Sequence, residues 1–572
     1  MIVPMKHFDL VCVSSEKEKT IEKLRSLGVV HLDLAAAGGD SVSLAKGDAA
    51  DAELAVRLIV KSRTAKDDSL AVRPRTVREV LAIAADRDAL KEEKERLERE
   101  IRIYRPYGDF DPALAKKIID KGIDISGLGG DEPLLPEKLP QMRLSRMQEK
   151  LQRVCNRIAI DDSRLACCDE RSIIAKFPEI RDRIAFEQAR ELLQDHGAVS
   201  VVSGWIPEPK IKVLMDEVTA RSAKGLFERT SAPGWGLLVR DAAEGEVPPT
   251  LIEPPKIFRP VKALFDGLGV TPGYDETDVS VPFMCYFSLF FAMLVGDGAY
   301  GALFLALTLF LRRKMPRSWF VLLTVFSSAT VLWGLLSNTW FGAGFEACSN
   351  WPTVKWLADP SYNNMMLLCF TIGVSHLMLA RIWNGLCKLN DTVCIAEFGW
   401  AGVLLAMYLV TNSIVGIFDG FPVWGAWVGG ISVACVFLFS VKPSELKTRG
   451  AELGMLPLNI MSALGDVISY VRLFAVGLAS VKVAENFNAM ATGLVSDGDS
   501  WWVRVLMSLA MVAILVFGHA LNLVMAALSI LVHAVRLNTL EFSNHKGITW
   551  SGRAFKPFRK NIISQSKGEN NE

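Results

Sequence analysis

The sequence predicts a two-part protein in which a soluble α+β half is followed by an all-α membrane half. Hydrophobic residues make up 50% of the 572 positions, and they are concentrated from about Pro282 onward. Before that point, short apolar stretches alternate with charge-rich helical patterns. After it come apolar segments, most of them long enough to cross a bilayer. We expect a soluble domain over 1–275, a membrane domain over 276–545 and a soluble tail over 546–572.

The soluble half begins with a predicted β-α-β pattern. Phe8–Val13 and Val29–Leu34 are strand-like, and Ser15–Leu27 between them has the period of a polar-faced helix. A further strand, Ala198–Val202, leads into Gly204-Trp-Ile-Pro207 and a following helix. We expect these segments to form a small α/β lobe.

A long helix with a narrow apolar seam follows. From Arg75 to Arg105, apolar residues recur at three-, four- and seven-residue steps among charged residues. A second small α/β lobe is expected near 105–140, with returning helices over Gln141–Ala175 and Phe186–Asp195. The sequence therefore predicts an antiparallel coiled-coil arm with a lobe at each end. About 30 helical residues reach about 45 Å, which suits a scaffold better than a catalytic pocket.

Charge and cysteine content exclude some function classes. The net charge is +1, so no global field favours nucleic acid. The ten cysteines include no CxxC pair and no Cys/His spacing of a metal site, which favours free thiols in a reducing compartment. The sequence shows neither a signal-peptide pattern nor a GxxxxGK[ST] phosphate loop. We expect the soluble half to be cytoplasmic, with no metal, cofactor or nucleotide site.

Seven apolar segments predict the membrane passes. They lie near Phe283–Leu311, Trp319–Phe341, Met365–Leu386, Phe398–Ile417, Val423–Val441, Leu456–Ala491 and Trp502–Leu537. The first contains a break at Gly296–Gly301, where Asp297 either caps exposed backbone or serves a function. Dividing this segment into two short passes puts the basic cluster Arg312–Arg317 on the same side as the other basic loops. We therefore expect about eight passes, the last two long and tilted, with both termini on the cytoplasmic side of the cell membrane.

Two arginines lie inside the last two predicted spans. Arg472 follows Ser-Tyr-Val in one, and Arg536 follows His-Ala-Val in the other. An arginine keeps its proton, and its charge costs at least about 2.5–3.5 kcal/mol at membrane depth, so a span that retains one is expected to use it. Two such cations indicate ion movement. Arg536 lies near the predicted cytoplasmic end, where it could instead snorkel to the interface.

Helical counting puts small and polar residues on the faces of the two arginines. Small residues allow another helix to approach closely, and polar residues could line a water path. On the penultimate span the face comprises Gly465, Ser469, Arg472, Ala475, Ala479, Lys482 and Asn486. The candidate path residues are Ser469, Lys482, Glu485, Asn486, His519, Asn522, Ser529 and His533. Each of these could instead bond to a neighbouring helix, and Lys482 could pair with Glu485.

These motifs resemble the membrane stator subunit of V-type and archaeal or bacterial A-type rotary ATPases, called subunit a or subunit I. The most specific matching segments are Leu464–Ala479, His519–Asn522 and His533–Phe542. Gly296–Gly301 and Gly204–Pro207 add support. The resemblance covers nearly the whole chain.

The resemblance implies ion translocation, with ATP chemistry in other subunits. Arg472 would face a rotor ring of proteolipid c or K subunits, pair with each ion-free carboxylate and separate two half-channels for H⁺ or Na⁺. Arg536 would help to hold that interface. The arm would brace the peripheral-stalk E and G subunits and contact the C or d protein that caps the central stalk. Two other classes stay open: a secondary transporter, which would need paired broken helices, and a membrane-anchored coiled-coil scaffold, which would leave Arg472 unexplained.

Overall fold

A computed structural model describes residues 1–34, 38–62, 76–121, 138–168, 173–227, 235–243, 245–344, 346–357, 361–441, 453–494 and 501–560. The chain forms two compact units. One comprises Met5–Ala242 with Lys556–Glu572, and the other comprises Met1–Pro4 with Ala243–Phe555. Residues 243–275 thus group with the apolar helices by their contacts. The domain boundaries at 275 and 545, which concern the membrane, stay predictions.

The unit that contains Met5–Ala242 is built on a four-stranded antiparallel sheet. Its strands, in the spatial order β2-β3-β1-β4, are β1 (Met5–Val13), β2 (Gln194–His196), β3 (Val199–Pro207) and β4 (Gly236–Arg240). Alternation along β1 buries Phe8, Leu10 and Cys12 in the core beneath the sheet. The strands predicted at Phe8–Val13 and Ala198–Val202 are therefore confirmed.

The strand predicted over Val29–Leu34 is wrong. This segment makes an isolated bridge in which His31 and Trp205 exchange backbone hydrogen bonds of 2.8 and 2.9 Å. The amide of Phe558, from the C-terminal tail, donates to the carbonyl of Val30 at 2.8 Å. The tail residue Phe558 thus bonds to the backbone of this segment from one side. The segment does not continue its pairing with β3 beyond the His31–Trp205 bridge, so it does not form a strand of the sheet.

Seven α-helices complete the described part of this unit. They are α1 (Lys17–Leu27), α2 (Asp40–Ser62), α3 (Val77–Tyr104), α4 (Pro112–Asp120), α5 (Leu144–Ala166), α6 (Phe177–Leu192) and α7 (Ile211–Phe227). The long helix predicted from Arg75 to Arg105 is confirmed as α3, which begins where Thr76 Oγ1 accepts from the amide of Glu79 at 3.3 Å.

Helices α3 and α5 pack antiparallel. Lys150 pairs with Glu93 at 2.5 Å, and Arg87 pairs with Asp162 at 3.4 Å, so positions rise along one helix as they fall along the other. The coiled-coil character of this pair stays a prediction. Residues 122–137 of the predicted lobe near 105–140 lie outside the described part of the chain.

The unit that contains Ala243–Phe555 is helical. Its helices are α8 (Val261–Leu268), α9 (Ser280–Val295), α10 (Gly298–Phe310), α11 (Arg317–Ser337), α12 (Pro352–Leu357), α13 (Asn363–Cys387), α14 (Val393–Ile414), α15 (Val423–Phe439), α16 (Leu456–Ile468), α17 (Val471–Thr492), α18 (Trp501–Ser529) and α19 (Ser543–Lys546). Aromatic residues from α9 form the centre of its core, where Phe283, Phe287 and Phe290 are fully or almost fully buried.

Five described helices are long and apolar enough to cross a membrane. They are Arg317–Ser337, Asn363–Cys387, Val393–Ile414, Leu456–Thr492 and Trp501–Lys546. The predicted count of about eight would also require α15 and both halves of the bent pair α9–α10, and it stays a prediction. The last two spans have 37 and 46 residues. At about 55 and 69 Å they exceed a core of about 30 Å, so they must tilt or project beyond it.

The break predicted inside the first apolar segment is confirmed. Helices α9 and α10 meet at a bend of 119°. Gly296 adopts a left-handed conformation at the bend, with φ of 70°. Asp297 is fully buried, and its Oδ1 accepts from the amide of Ala299 at 2.8 Å while its Oδ2 accepts from that of Gly342 at 2.9 Å. Asp297 therefore caps α10, which was one of its two predicted roles.

Candidate functional site

Arg472 lies at the start of α17, directly after a turn in the penultimate span. Ser469 and Tyr470 form this turn between α16 and α17. The side chain of Tyr470 is fully buried, and its hydroxyl lies 2.8 Å from His376 Nδ1 on α13. Because Tyr470 is anchored in the core, it fixes the position of the turn. The position of Arg472 along the penultimate span is therefore fixed by packing.

Arg472 and Arg536 converge on one carboxylate. Glu541 Oε1 lies 3.7 Å from Arg472 Nη2 and accepts a hydrogen bond from Arg536 Nε at 3.2 Å. The Glu541 side chain is 5% exposed, whereas those of Arg472 and Arg536 are 27% and 54% exposed. Its second oxygen, Oε2, is buried with no hydrogen-bond partner among the described residues. With Glu541 ionised, the formal charges of the three side chains sum to +1.

Two π-helical segments position Arg536 and Glu541. They are Ile530–Ala534 and Leu537–Phe542, on either side of Arg536. A π-helix bonds residues five apart rather than four apart, and such segments are frequent at functional sites. Five residues separate Arg536 from Glu541, so this geometry brings their side chains together. Sequence reasoning gave Glu541 no role because it assumed an α-helical period, although an acidic residue near an intramembrane arginine was an available signal.

The predicted face of the penultimate span is exposed along most of its length. Gly465, Ala475, Ala479, Lys482 and Asn486 are exposed, and Ser469 is half-buried. The opposite face packs inward through Gly477, where a Cβ would lie 2.6 Å from the carbonyl oxygen of Met293 on α9. Within the described residues, the face that carries Arg472 is therefore left without a covering helix.

Lys482 and Glu485 lie toward the far end of α17. Their side chains form an ion pair of 2.7 Å and are 47% and 39% exposed. Lys482 is ten residues from Arg472, about 15 Å along the helix axis. The pairing that sequence reasoning left open is thus present, and a role for Lys482, Glu485 and Asn486 in an ion path stays a prediction.

Asn522 and His519 belong to a buried hydrogen-bond network that reaches the bent pair. Asn522 is 1% exposed, and its Nδ2 donates to Tyr300 Oη at 3.1 Å and to the carbonyl oxygen of Ser480 at 2.8 Å. Its Oδ1 accepts from Ser480 Oγ at 3.1 Å. His519 Nδ1 lies 2.7 Å from the same Tyr300 hydroxyl. This network ties α18 to α10 and α17, and a channel-lining role for the two residues stays a prediction.

His533 and Ser529 lie closer to the arginines. His533 is half-buried, faces the charges of both Arg472 and Arg536, and has an Nδ1 atom without a partner in the described structure. Ser529 is half-buried and directly precedes the first π-helical segment. Of the predicted residues, the structure therefore groups Arg472, Arg536 and His533.

A second polar cluster, which sequence reasoning did not predict, lies beside α16. His545 Nδ1 accepts from Arg381 Nε at 3.2 Å, which leaves the proton on Nε2 to be donated to Asp466 Oδ2 at 3.0 Å. Arg381 also pairs with Glu397 at 3.2 Å, and Lys388 pairs with the same carboxylate at 2.9 Å. Sequence reasoning gave these residues no site role, and Arg381 and Lys388 counted only among the basic residues of the loops used for topology. The unused signal was an acidic and a basic residue within neighbouring apolar helices.

Comparison with known proteins shows which proteins this chain resembles. No protein-family model matches the chain. V-type ATP synthase subunit I of Borreliella burgdorferi is 31% identical over an alignment of 400 positions that covers 66% of this chain and 63% of that protein. V-type ATP synthase subunit I 1 of Treponema pallidum is 28% identical over an alignment of 651 positions that covers 98% of this chain and all of that protein. A-type ATP synthase subunit I of Methanocaldococcus jannaschii is 24% identical over 476 positions, 74% of this chain and 65% of that protein.

The chain is homologous over most of its length to bacterial and archaeal proteins named V-type or A-type ATP synthase subunit I. The resemblance predicted from the sequence is thereby confirmed. The matched region spans less than two thirds of the Borreliella and Methanocaldococcus relatives and the full length of the Treponema relative.

Two cavities contact the penultimate span, one before and one after Arg472 along the chain. One has a volume of about 480 Å³ and is lined by Asp466 and Asn459 before the arginine, together with His545. The other has a volume of about 360 Å³ and is lined along α17 from Leu473 to Glu485. Arg472 therefore lies between two cavities along one helix and lines neither of them.

Proposed function

We propose that this chain is the membrane stator subunit of a rotary V/A-type ATPase, which couples H⁺ or Na⁺ movement to ATP hydrolysis or synthesis in other subunits. Its relatives carry the name ATP synthase subunit I. The observation that carries the proposal is the position of Arg472 between two cavities of the same helix. In this proposal the fixed positive charge of Arg472, which lies along the span between the residues of the two linings, opposes direct passage of an ion from one cavity to the other, so the cavities act as separate half-channels.

A rotor helix that presents a carboxylate fits the exposed face of the penultimate span. The small residues Gly465, Ala475 and Ala479 leave room for close approach. A guanidinium stabilises the ionised form of a carboxylate and thereby promotes release of the bound ion. Rotation then moves the ionised carboxylate past Arg472, and a new ion binds from the other cavity. A ring of proteolipid c or K subunits supplies these carboxylates.

Side chains of this chain hold the rotor interface and line the two half-channels. Arg536 holds the interface beside Arg472, His533 faces the charges of both arginines, and Ser529 lies four residues before His533 on the same span. Further lining is assigned to Ser469, Lys482, Glu485, Asn486, His519 and Asn522. In this proposal Ser469, Lys482, Glu485 and Asn486 face the rotor or the cavity beyond Arg472. His519 and Asn522 line the path from α18 and also keep that helix in register with α10.

The unit with the sheet serves as the cytoplasmic arm. The antiparallel pair α3–α5 forms a coiled coil that braces the peripheral-stalk E and G subunits, and the arm contacts the C or d protein that caps the central stalk. The membrane unit crosses the cell membrane eight times, with both termini in the cytoplasm. Labelling of Arg313→Cys from outside intact cells would overturn this topology.

Two substitutions of Arg472 test the function. In purified complex reconstituted into vesicles, Arg472→Ala and Arg472→Lys are both expected to abolish ATP-driven ion uptake, because lysine keeps a charge but not the planar fork of donors. Arg313→Ala is the matched control, because Arg313 is exposed on the loop after α10. Coupled uptake by Arg472→Ala would overturn the proposal. A chain that purifies without a proteolipid ring and stalk subunits would instead support a scaffold or a secondary transporter.

A further inference from the structure

Glu541 contacts both arginines of the candidate site from a buried position. We propose that Glu541 is a positioning residue that orients the Arg472–Arg536 pair and sets its net charge, so that the site binds one rotor carboxylate and then releases it. This inference rests on the proposed function, because it takes the rotor carboxylate as the partner of the site. In this view a residue of this chain, Glu541, sets the net charge of the stator site.

Charge arithmetic gives Glu541, as a third ionised group, a role in the site. Two guanidinium groups alone would hold +2 in a poorly screened environment, where the charges interact more strongly than in water. Glu541 lowers this sum to +1, and one ionised rotor carboxylate brings it to zero. Without Glu541, a bound rotor carboxylate would still face a net positive charge, which would keep it ionised and oppose rebinding of its ion.

The geometry leaves the other arginine donors available to a partner. Glu541 Oε1 contacts one nitrogen of each arginine, Nη2 of Arg472 and Nε of Arg536. The Arg536 Nε–Glu541 Oε1 hydrogen bond is the one found from either guanidinium among the described residues, Arg472 contacting Glu541 as an ion pair at 3.7 Å, and both arginine side chains reach the exposed surface. A carboxylate that approaches this surface can therefore bind to two guanidinium groups that the buried Glu541 carboxylate keeps in position.

The anchor itself is held by packing. Phe542, next in the chain, is fully buried and stacks on His376 of α13 with ring centroids 4.5 Å apart. Tyr470, from the α16–α17 turn, lies near Glu541 and is bonded to the same histidine. The titratable groups that face Glu541 or lie directly behind these contacts are Arg472, Arg536, Tyr470, His376, Tyr286 and His533.

The test changes charge while it keeps shape. In the assembled complex in vesicles, Glu541→Gln is expected to reduce ATP-driven ion uptake at neutral pH at least tenfold, which equals about 1.4 kcal/mol of barrier. In a proton-coupled complex the optimum is expected to move to lower pH, where the rotor carboxylate rebinds a proton more easily. In a sodium-coupled complex, higher Na⁺ is expected to restore uptake. Glu541→Asp is expected to keep the wild-type optimum, and Asp419→Asn, on an exposed loop, to behave as wild type.

A charge-restoring double variant separates positioning from folding. Glu541→Gln combined with Arg536→Gln returns the net charge to +1, so it is expected to move the optimum back toward the wild-type value even if the single variant assembles poorly. Wild-type uptake and an unchanged optimum in Glu541→Gln would overturn the inference. So would loss of uptake at every pH and Na⁺ concentration without rescue by Glu541→Asp or by the double variant. Failure of the proposed function would instead appear as coupled uptake by Arg472→Ala.

Discussion

Replacing Asp297 by alanine removes the cap that holds the bend between α9 and α10. The carboxylate is fully buried, and its oxygens accept from the amides of Ala299 at 2.8 Å, Gly342 at 2.9 Å and Tyr300 at 3.4 Å. No other side chain in the described structure accepts from these amides. Asp297→Ala therefore leaves two well-bonded backbone donors without partners inside the helix bundle, at a position where the chain bends by 119°.

The expected magnitude follows from these contacts. A hydrogen bond to a charged acceptor contributes about 1.5–3 kcal/mol, and the 3.4 Å contact is too long to count fully. Two short bonds therefore correspond to a loss of about 3 kcal/mol or more. Asp297→Asn keeps one acceptor oxygen but turns an NH₂ group toward one of the amides, so about half of this loss is expected.

Thermal unfolding of the purified chain in detergent measures the effect. Tryptophan fluorescence is a suitable signal because Trp333 and Trp550 lie in the same core as α9. Unfolding entropy is about 2.1 cal/mol/K per residue, so in a unit of about 300 residues a loss of 3 kcal/mol lowers the midpoint by about 4–5 °C. The exposed Asp419→Ala is the matched control. A midpoint for Asp297→Ala equal to that of the control would refute the capping argument.

Three other perturbations follow from the packing. Gly477→Ala is expected to lower the same midpoint, because its Cβ would lie 2.6 Å from a backbone oxygen of α9. Gly465→Ala is the control: its Cβ would meet open space, so the midpoint is expected to stay unchanged or rise slightly. Equal effects of the two substitutions would contradict this packing. Asn522→Leu is expected to cost about 2 kcal/mol, because it removes hydrogen bonds from a buried network; a midpoint unchanged from wild type would count against that role. The hydrogen bond from Arg143 holds the pKa of the Asp111 carboxyl below its ordinary value. Its stabilising effect is therefore present at neutral pH and is lost as the pH falls below about 4 and through the lowered pKa. The protection of the α4 amides, taken relative to their intrinsic exchange rates at each pH, is expected to fall over that range, and Asp111→Asn to show the lower protection already at pH 7; wild-type protection in that variant would disprove the contribution.

The elements that sequence reasoning located well are those whose signal is local. The β1 strand follows from alternation over Phe8–Val13, and α3 follows from apolar steps between Arg75 and Arg105. The bend at Gly296 was predictable because a glycine and an aspartate interrupt an apolar run. Each of these signals depends on neighbours within a few residues, so no tertiary information was needed.

The elements that it missed depend on distant partners. The bridge at His31 replaces a predicted strand because the tail residue Phe558 lies beside it in space. The Asp466–His545 contact joins residues 79 positions apart, and the Arg381–His545 contact joins residues 164 positions apart. Periodicity cannot report such pairs, since they arise only when helices have packed.

The sequence by itself determined that two arginines lie in the last two apolar spans, and that small residues share a face with Arg472. The motifs around those arginines also indicated the resemblance to subunit I proteins, which the relatives bear out. Only the tertiary structure decided that Glu541 joins Arg472 to Arg536, and that Asn522 belongs to a hydrogen-bond network with Tyr300. The physical reason is that π-helical segments change the period of the last span, so its side chains face neighbours that an α-helical count does not predict.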